Sequence, residues 1–115
     1  MTIREMSLDQ LRDWHAKREG WHAAFRHRHA SGVEQWWFEH PDGREQFDHP
    51  YPATLDGAAS AWPEGWIWSR ADGSWKAYHN HRSTCKEVPD TGNEITDRYR
   101  LAALAWEQKG NNEQA

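Results

Sequence analysis

His49 to Trp66 reads HPYPATLDGAASAWPEGW, and tryptophan-rich segments flank it on both sides. Pro50 and Pro52 keep the approach extended, because a residue before proline is pushed out of the helical region. Thr54 is then placed to cap a helix, its hydroxyl accepting a backbone N–H that the first turn leaves unpaired. Leu55, Ala58, Ala59 and Trp62 follow at i, i+3, i+4 and i+7, one stripe of a short helix. Pro63 stops it, and Gly65 turns the chain into Trp66-Ile67-Trp68. The small residues on the stripe predict a helix lying close against a sheet.

Upstream, Ser7-Leu8-Asp9-Gln10 fits a capping box, with Met6 and Leu11 in the two staple positions. Leu8, Leu11, Trp14 and His15 make a buried stripe, and Gly20 is a C-terminal stop. This predicts a helix from Leu8 to about Glu19. Trp21 to His29 alternates at first and then turns charged, so the histidine-rich segment 22–29 fits strand and loop equally. Val33 to His40 reads as strand. Pro41-Asp42-Gly43 is a turn, pairing Gln35–Glu39 with Arg44–Asp48 as a hairpin. Trp36 and Trp37 then fall on opposite faces.

Downstream, Trp66–Ser69 and Trp75–Tyr78 form a second hairpin around Ala71-Asp72-Gly73, with a short strand over Thr84–Val88. Thr91-x-x-Glu94 repeats the capping-box chemistry and makes Thr91 the expected N-cap. Ile95, Tyr99, Ala102 and Trp106, widened by Leu101 and Ala105, give a helical stripe to about Gln108. The order of elements lacks a βαβ rhythm, so the expected class is α+β, an antiparallel β-sheet with helices packed on it as a helix–sheet–helix sandwich. One domain over 1–108 is expected, with a flexible tail at 109–115.

The 115 residues suit a single domain. Apolar residues are only 37%, yet nine of them are tryptophan, and each buried indole hides roughly 150–250 Å². A few large rings therefore supply the core that aliphatic residues usually provide. The net charge of -4 carries no basic footprint for a phosphate backbone, so nucleic acid is not the expected partner. Cys85 is the one cysteine, which excludes an internal disulfide and points to a reducing cytoplasm. No stretch reads as a signal peptide or membrane span.

The opening helix running into Gly20-Trp21, the segment Thr54-Leu55-Asp56-Gly57-Ala58-Ala59, Trp66 and Trp75 on successive strands, and Asp90-Thr91-Gly92-Asn93-Glu94-Ile95 before an alanine-rich helix form a pattern. It resembles a group of small phage and prophage proteins described as the phage ABA-sandwich domain. The resemblance implies helix–sheet–helix layering and an origin in a mobile genome, and it carries no active site. The histidine-rich segment between Trp21 and Trp36 departs from the pattern.

His79, His81 and Cys85 form H-x-H-x3-C, a ligand set zinc accepts, but no fourth ligand is near in sequence. No metal or other cofactor is expected. Arg26 to His29 with His22 is a short basic cluster, readable as a nucleic-acid contact or as a solvated strand. Carboxylates Glu39, Asp42, Glu45 and Asp48 surround a turn, and no nucleophile elbow or phosphate loop is present. Core stripes use Trp14, Trp62, Trp66 and Trp106. Trp36, Trp37 and Trp68 are harder to bury together, and tryptophan is enriched at binding hot spots. The expected function is thus a non-catalytic phage or prophage accessory protein that binds a host or phage protein in host takeover or counter-defence. A nucleic-acid module on Arg26–His29 and a small metal-dependent enzyme on His79, His81 and Cys85 are the alternatives. An open aromatic patch at Trp36 or Trp37 also predicts a homodimer.

Overall fold

A computed structural model describes residues 1–28, 34–79 and 85–114. Helix α1, Leu8–Glu19, starts and stops as its caps dictate. The Ser7 hydroxyl accepts from Gln10 N at 3.3 Å, the Gln10 side chain accepts from Ser7 N at 2.8 Å, and Gly20 ends the helix at φ 110°. The short helix α2, Leu55–Ser60, begins at Thr54, whose hydroxyl accepts from Gly57 N at 3.0 Å.

The buried face of α2 is rotated from the predicted stripe. Gly57, Ala58 and Ala61 are buried, whereas Leu55 and Ala59 are exposed. Gly57 sets the rotation, because a Cβ there would collide with the Pro52 carbonyl and would lie 2.6 Å from the Tyr99 hydroxyl. The helix lies against the long helix α3, Glu94–Gln114, not against a sheet. The Trp106 indole N–H completes its C-terminal end by donating to the Ala61 carbonyl at 2.7 Å. Trp62 just beyond donates to the Trp66 carbonyl at 2.7 Å, tying the helix exit to the strand that opens at Trp66.

The strands are β1 His22–Arg28, β2 Glu34–Glu39, β3 Glu45–Gln46, β4 Trp66–Ala71, β5 Ser74–His79 and β6 Cys85–Pro89. They form two antiparallel sheets of three, ordered β1-β2-β3 and β4-β5-β6. The class is α+β, as expected. Segment 22–28 is strand, and Asp72 (φ 54°) with Gly73 (φ 77°) makes the positive-φ turn that matches the twist of a two-residue hairpin.

Helix α3 is the centre of the molecule. It packs on α1, α2, β5 and β6, and Leu101 to Ala105 are buried in unbroken succession. A helix shows such a run only when it is covered around most of its girth. Trp75, Ala77 and Val88 face it from the second sheet. Opposite residues of an antiparallel ladder share a face, so Ile67, Cys85, Glu87 and Pro89, all exposed, mark the face turned away from α3. The layering is therefore sheet, α3, then the shorter helices. The helix also continues past Gln108, through the segment expected as a tail, to Gln114, since propagation adds one hydrogen bond per residue once a helix exists.

Asn93, not Thr91, caps α3: its side chain accepts from Thr96 N at 3.1 Å. Thr91 is drawn off because its hydroxyl donates to the buried Asp97 carboxylate at 2.6 Å. Asn93→Ala is expected to lose about 1 kcal/mol, the usual worth of an N-cap, and Thr91→Ala about 1.5–3 kcal/mol through its bond to a charged group. Urea midpoints of the two variants check the order.

Candidate functional site

A dense polar cluster lies where α1 ends. Gly20 swings the chain back so that Trp21 Nε1 donates to Glu19 Oε2 at 2.9 Å, and the Tyr51 hydroxyl donates to the same oxygen at 2.8 Å. Arg18 Nη2 donates to the Tyr51 hydroxyl at 3.1 Å, its guanidinium lying 3.8 Å from the Trp106 ring centre. Arg44 Nη2 approaches Glu19 Oε1 at 3.6 Å, and His40 Nε2 donates to the Glu19 carbonyl at 2.8 Å.

The adjoining cleft measures about 240 Å³, with Glu19, Arg44, Tyr51 and Ser60 in its wall. Ligand pockets usually run about 300–1,000 Å³. Burial, and then the bond to Glu19, push the Tyr51 hydroxyl up to about 12. Burial also acts to raise Glu19, but the Tyr51 and Trp21 bonds and the Arg44 and Arg18 charges outweigh it and hold the carboxyl below its ordinary value. Proton transfer is most efficient for a group near the working pH. Acid and base here are both moved away from neutrality, and the cluster serves to lock α1 to the segment around Tyr51 and to the base of the first sheet.

The metal candidates do not converge. Cys85 stands opposite Tyr78, so it projects to the outer face of the second sheet, while His79 is next in sequence and projects to the other. The His79 ring packs edge-on to Trp66 at 5.5 Å, and Cys85 is exposed. His81 lies outside the described residues. Among the described residues no group of three or more His, Cys, Asp or Glu is placed to hold a metal ion. Arg26 and His27 belong to strand β1, but their side chains, like His29, lie outside what is described.

The tryptophan candidates separate. Trp36 stands opposite Phe25 in the ladder, with its side chain outside the described residues. Trp37 stands opposite Ala24 and stacks edge-on against Phe47, ring centres 5.7 Å apart. Phe38, its neighbour on the opposite face, packs on the core and on His49. Trp37 and Phe47 thus belong to the face turned away from the core, and Phe47 is 52% exposed. The same face carries His22 and Glu39, joined at 3.2 Å, with Glu45 opposite Glu39. Glu39 and Glu45 thus lie on the same face as the aromatic pair.

Trp68 is on the second sheet, 42% exposed, with Trp75 at 5.4 Å and the Arg98 guanidinium at 5.1 Å. Sequence reasoning missed Phe47 and Ile67. Phe47 had a readable mark, a lone large apolar residue between Gln46 and Asp48. Ile67 was hidden between two tryptophans, and only the ladder shows it faces outward. The Glu19–Tyr51 bond left no local mark, because its partners are far apart in the chain.

No family model matches the sequence, and no curated protein or solved structure is detectably similar to it. No helix among the described residues is long and apolar enough to cross a membrane.

Proposed function

We propose that the chain is a non-catalytic phage or prophage accessory protein that works by occupying a host or phage protein, with the Trp37–Phe47 face as its contact surface. One observation carries the reading: an aromatic pair that the core does not use sits on an outward sheet face that also carries Glu39 and Glu45. Interfaces concentrate their binding energy in such central aromatic anchors, with a polar rim that excludes water. The net charge of -4 favours a partner with a basic surface. Host takeover or counter-defence is the setting that the phage resemblance implies, and the mechanism is steric.

Affinity capture from host lysate, with wild-type protein beside the Trp37→Ala/Phe47→Ala double variant, tests this. Both rings lie outside the core, so the variant is expected to keep its fold by circular dichroism. It is expected to lose about 2 kcal/mol or more of binding, the cost typical of a hot spot. Added salt is expected to weaken capture further, because attraction between surface charges is screened. Undiminished capture by the folded double variant would reject this surface.

A further inference from the structure

We propose that β4 pairs edge to edge with β4 of a second copy of this chain, antiparallel about a two-fold axis through Ser69, joining the two second sheets into one of six strands.

β4 is an edge strand whose one neighbour among the described residues is β5, and Ile67 to Ala71 are all exposed. The outward backbone N–H and C=O groups of such an edge are a template for another strand, and proteins that stay monomeric usually blunt it. The other three edges carry such devices. β1 has a register shift between Phe25 and His27, β3 is two residues long, and β6 contains Lys86 and Glu87 and ends on Pro89. β4 reads Trp-Ile-Trp-Ser-Arg-Ala, without proline or lysine, and its ladder to β5 runs without a shift.

A second copy fits because the strand is complementary to itself in one register. With the axis at Ser69, each Ile67 meets Ala71 of the other copy on the outer face, apolar against apolar. On the inner face each Trp68 meets Arg70, a cation against an aromatic ring. Arg70 is prepared for this. Asp90 holds its guanidinium with two bonds, at 2.7 and 3.1 Å, and the group already lies 4.6 Å from the Trp75 ring centre. Asp90 also offsets its charge, so two such groups can approach the axis. An axis at Trp68 would instead set the two Trp68 rings against each other and Ile67 against a hydroxyl. Two-fold pairing uses both open edges, so assembly closes at the dimer. The seam is separate from the Trp37–Phe47 surface, and either can fail without the other.

Disulfide trapping in full-length protein reads the register directly. In a Cys85→Ser background, which removes the native thiol, Ser69→Cys is expected to give a disulfide-linked dimer on mild oxidation, since the two Cα atoms fall within the roughly 7 Å a disulfide can span. Ile67→Cys alone is expected to stay unlinked, and Ile67→Cys with Ala71→Cys to link. Light scattering is expected to show a dimer for wild type. Ile67→Lys, at a site 54% exposed, is expected to weaken it by about tenfold or more while keeping the circular dichroism spectrum. A monomer by scattering, a dimer in which Ser69→Cys does not link, or Ile67→Cys linking as readily as Ser69→Cys would each overturn the pairing.

Discussion

Asp97→Ala is expected to destabilise the protein by about 3–5 kcal/mol, the usual loss when one partner of a buried, hydrogen-bonded charge is removed. The Asp97 side chain is fully buried on α3. Its Oδ2 accepts from Trp75 Nε1 at 3.2 Å and from Thr91 N at 2.9 Å, while Oδ1 accepts from the Thr91 hydroxyl at 2.6 Å. Arg100 Nη1 lies 3.7 Å from Oδ1. One carboxylate thereby ties the second sheet, the loop before α3 and α3 itself. Alanine strands the buried Trp75 Nε1 donor and releases both Thr91 donors, and an unpaired buried donor costs more than the mean worth of its bond. Domains of this size hold only about 5–15 kcal/mol, so the variant is expected to be largely unfolded at 37 °C if wild type sits at the low end.

Asp97→Asn separates the lost bonds from the lost charge. Its amide oxygen can keep Trp75 and Thr91 N, and its NH₂ can donate to the Thr91 oxygen, because a hydroxyl serves either way. A loss of about 1–2 kcal/mol is expected. Urea unfolding followed by tryptophan fluorescence measures both variants. Equal midpoints for the two would mean that the hydrogen bonds carry little.

Why was Asp97 invisible in the sequence when Ser7, Gly20 and Thr54 were plain? The three caps act on backbone groups within three or four residues, so the local string contains both partners. The Asp72-Gly73 turn was legible for the same reason. Asp97 reads as a polar residue on a helix, and its burial depends on Trp75, a strand away. Hairpins are local, but whether two hairpins share a sheet is not, so two sheets looked like one.

The rotation of α2 was set by contacts from Pro52 and Tyr99 on Gly57, which periodicity does not report. Leu101, Ala102 and Ala105 fit the stripe of Tyr99 and Trp106, whereas Ala103 and Leu104 fall outside it, and only cover from several elements buries all five. For the candidate surface, the surplus of indoles pointed to Trp36, Trp37 and Trp68 together, without saying which of them the core would leave out. Their separation onto different sheets was a matter of register.

Stability is expected to fall by about 3 kcal/mol as pH drops from 6.5 to about 4, because of His15. The ring is fully buried beside Trp14, Tyr51 and Tyr99, with centres 5.0, 5.6 and 5.6 Å away. Nε2 donates to the Tyr99 carbonyl at 3.0 Å, which leaves Nδ1 as the bare acceptor, and Nδ1 has no partner among the described residues. Burial, against the pull of the Tyr99 carbonyl and helped by the Arg18 charge, lowers its pKa from 6.5 to about 4. In the unfolded chain the same ring takes a proton below 6.5.

The unfolded state therefore binds more protons throughout that window, and stability rises with pH across it. The contribution is complete above 6.5 and gone once the folded form protonates near 4. At 1.36 kcal/mol per pKa unit, the shift corresponds to about 3 kcal/mol. His15→Phe removes the titration and gives up the carbonyl bond, worth about 1 kcal/mol. Its urea midpoint is expected to be lower than wild type at neutral pH, and the two are expected to converge or cross toward acid. Carboxylates such as Glu19, held below their ordinary value, add their own acid sensitivity mainly lower in pH, and they do so equally in both proteins. The difference between wild type and His15→Phe at each pH thus isolates the imidazole. A difference that stays constant from neutrality to pH 4 would show that the buried ring does not resist its proton.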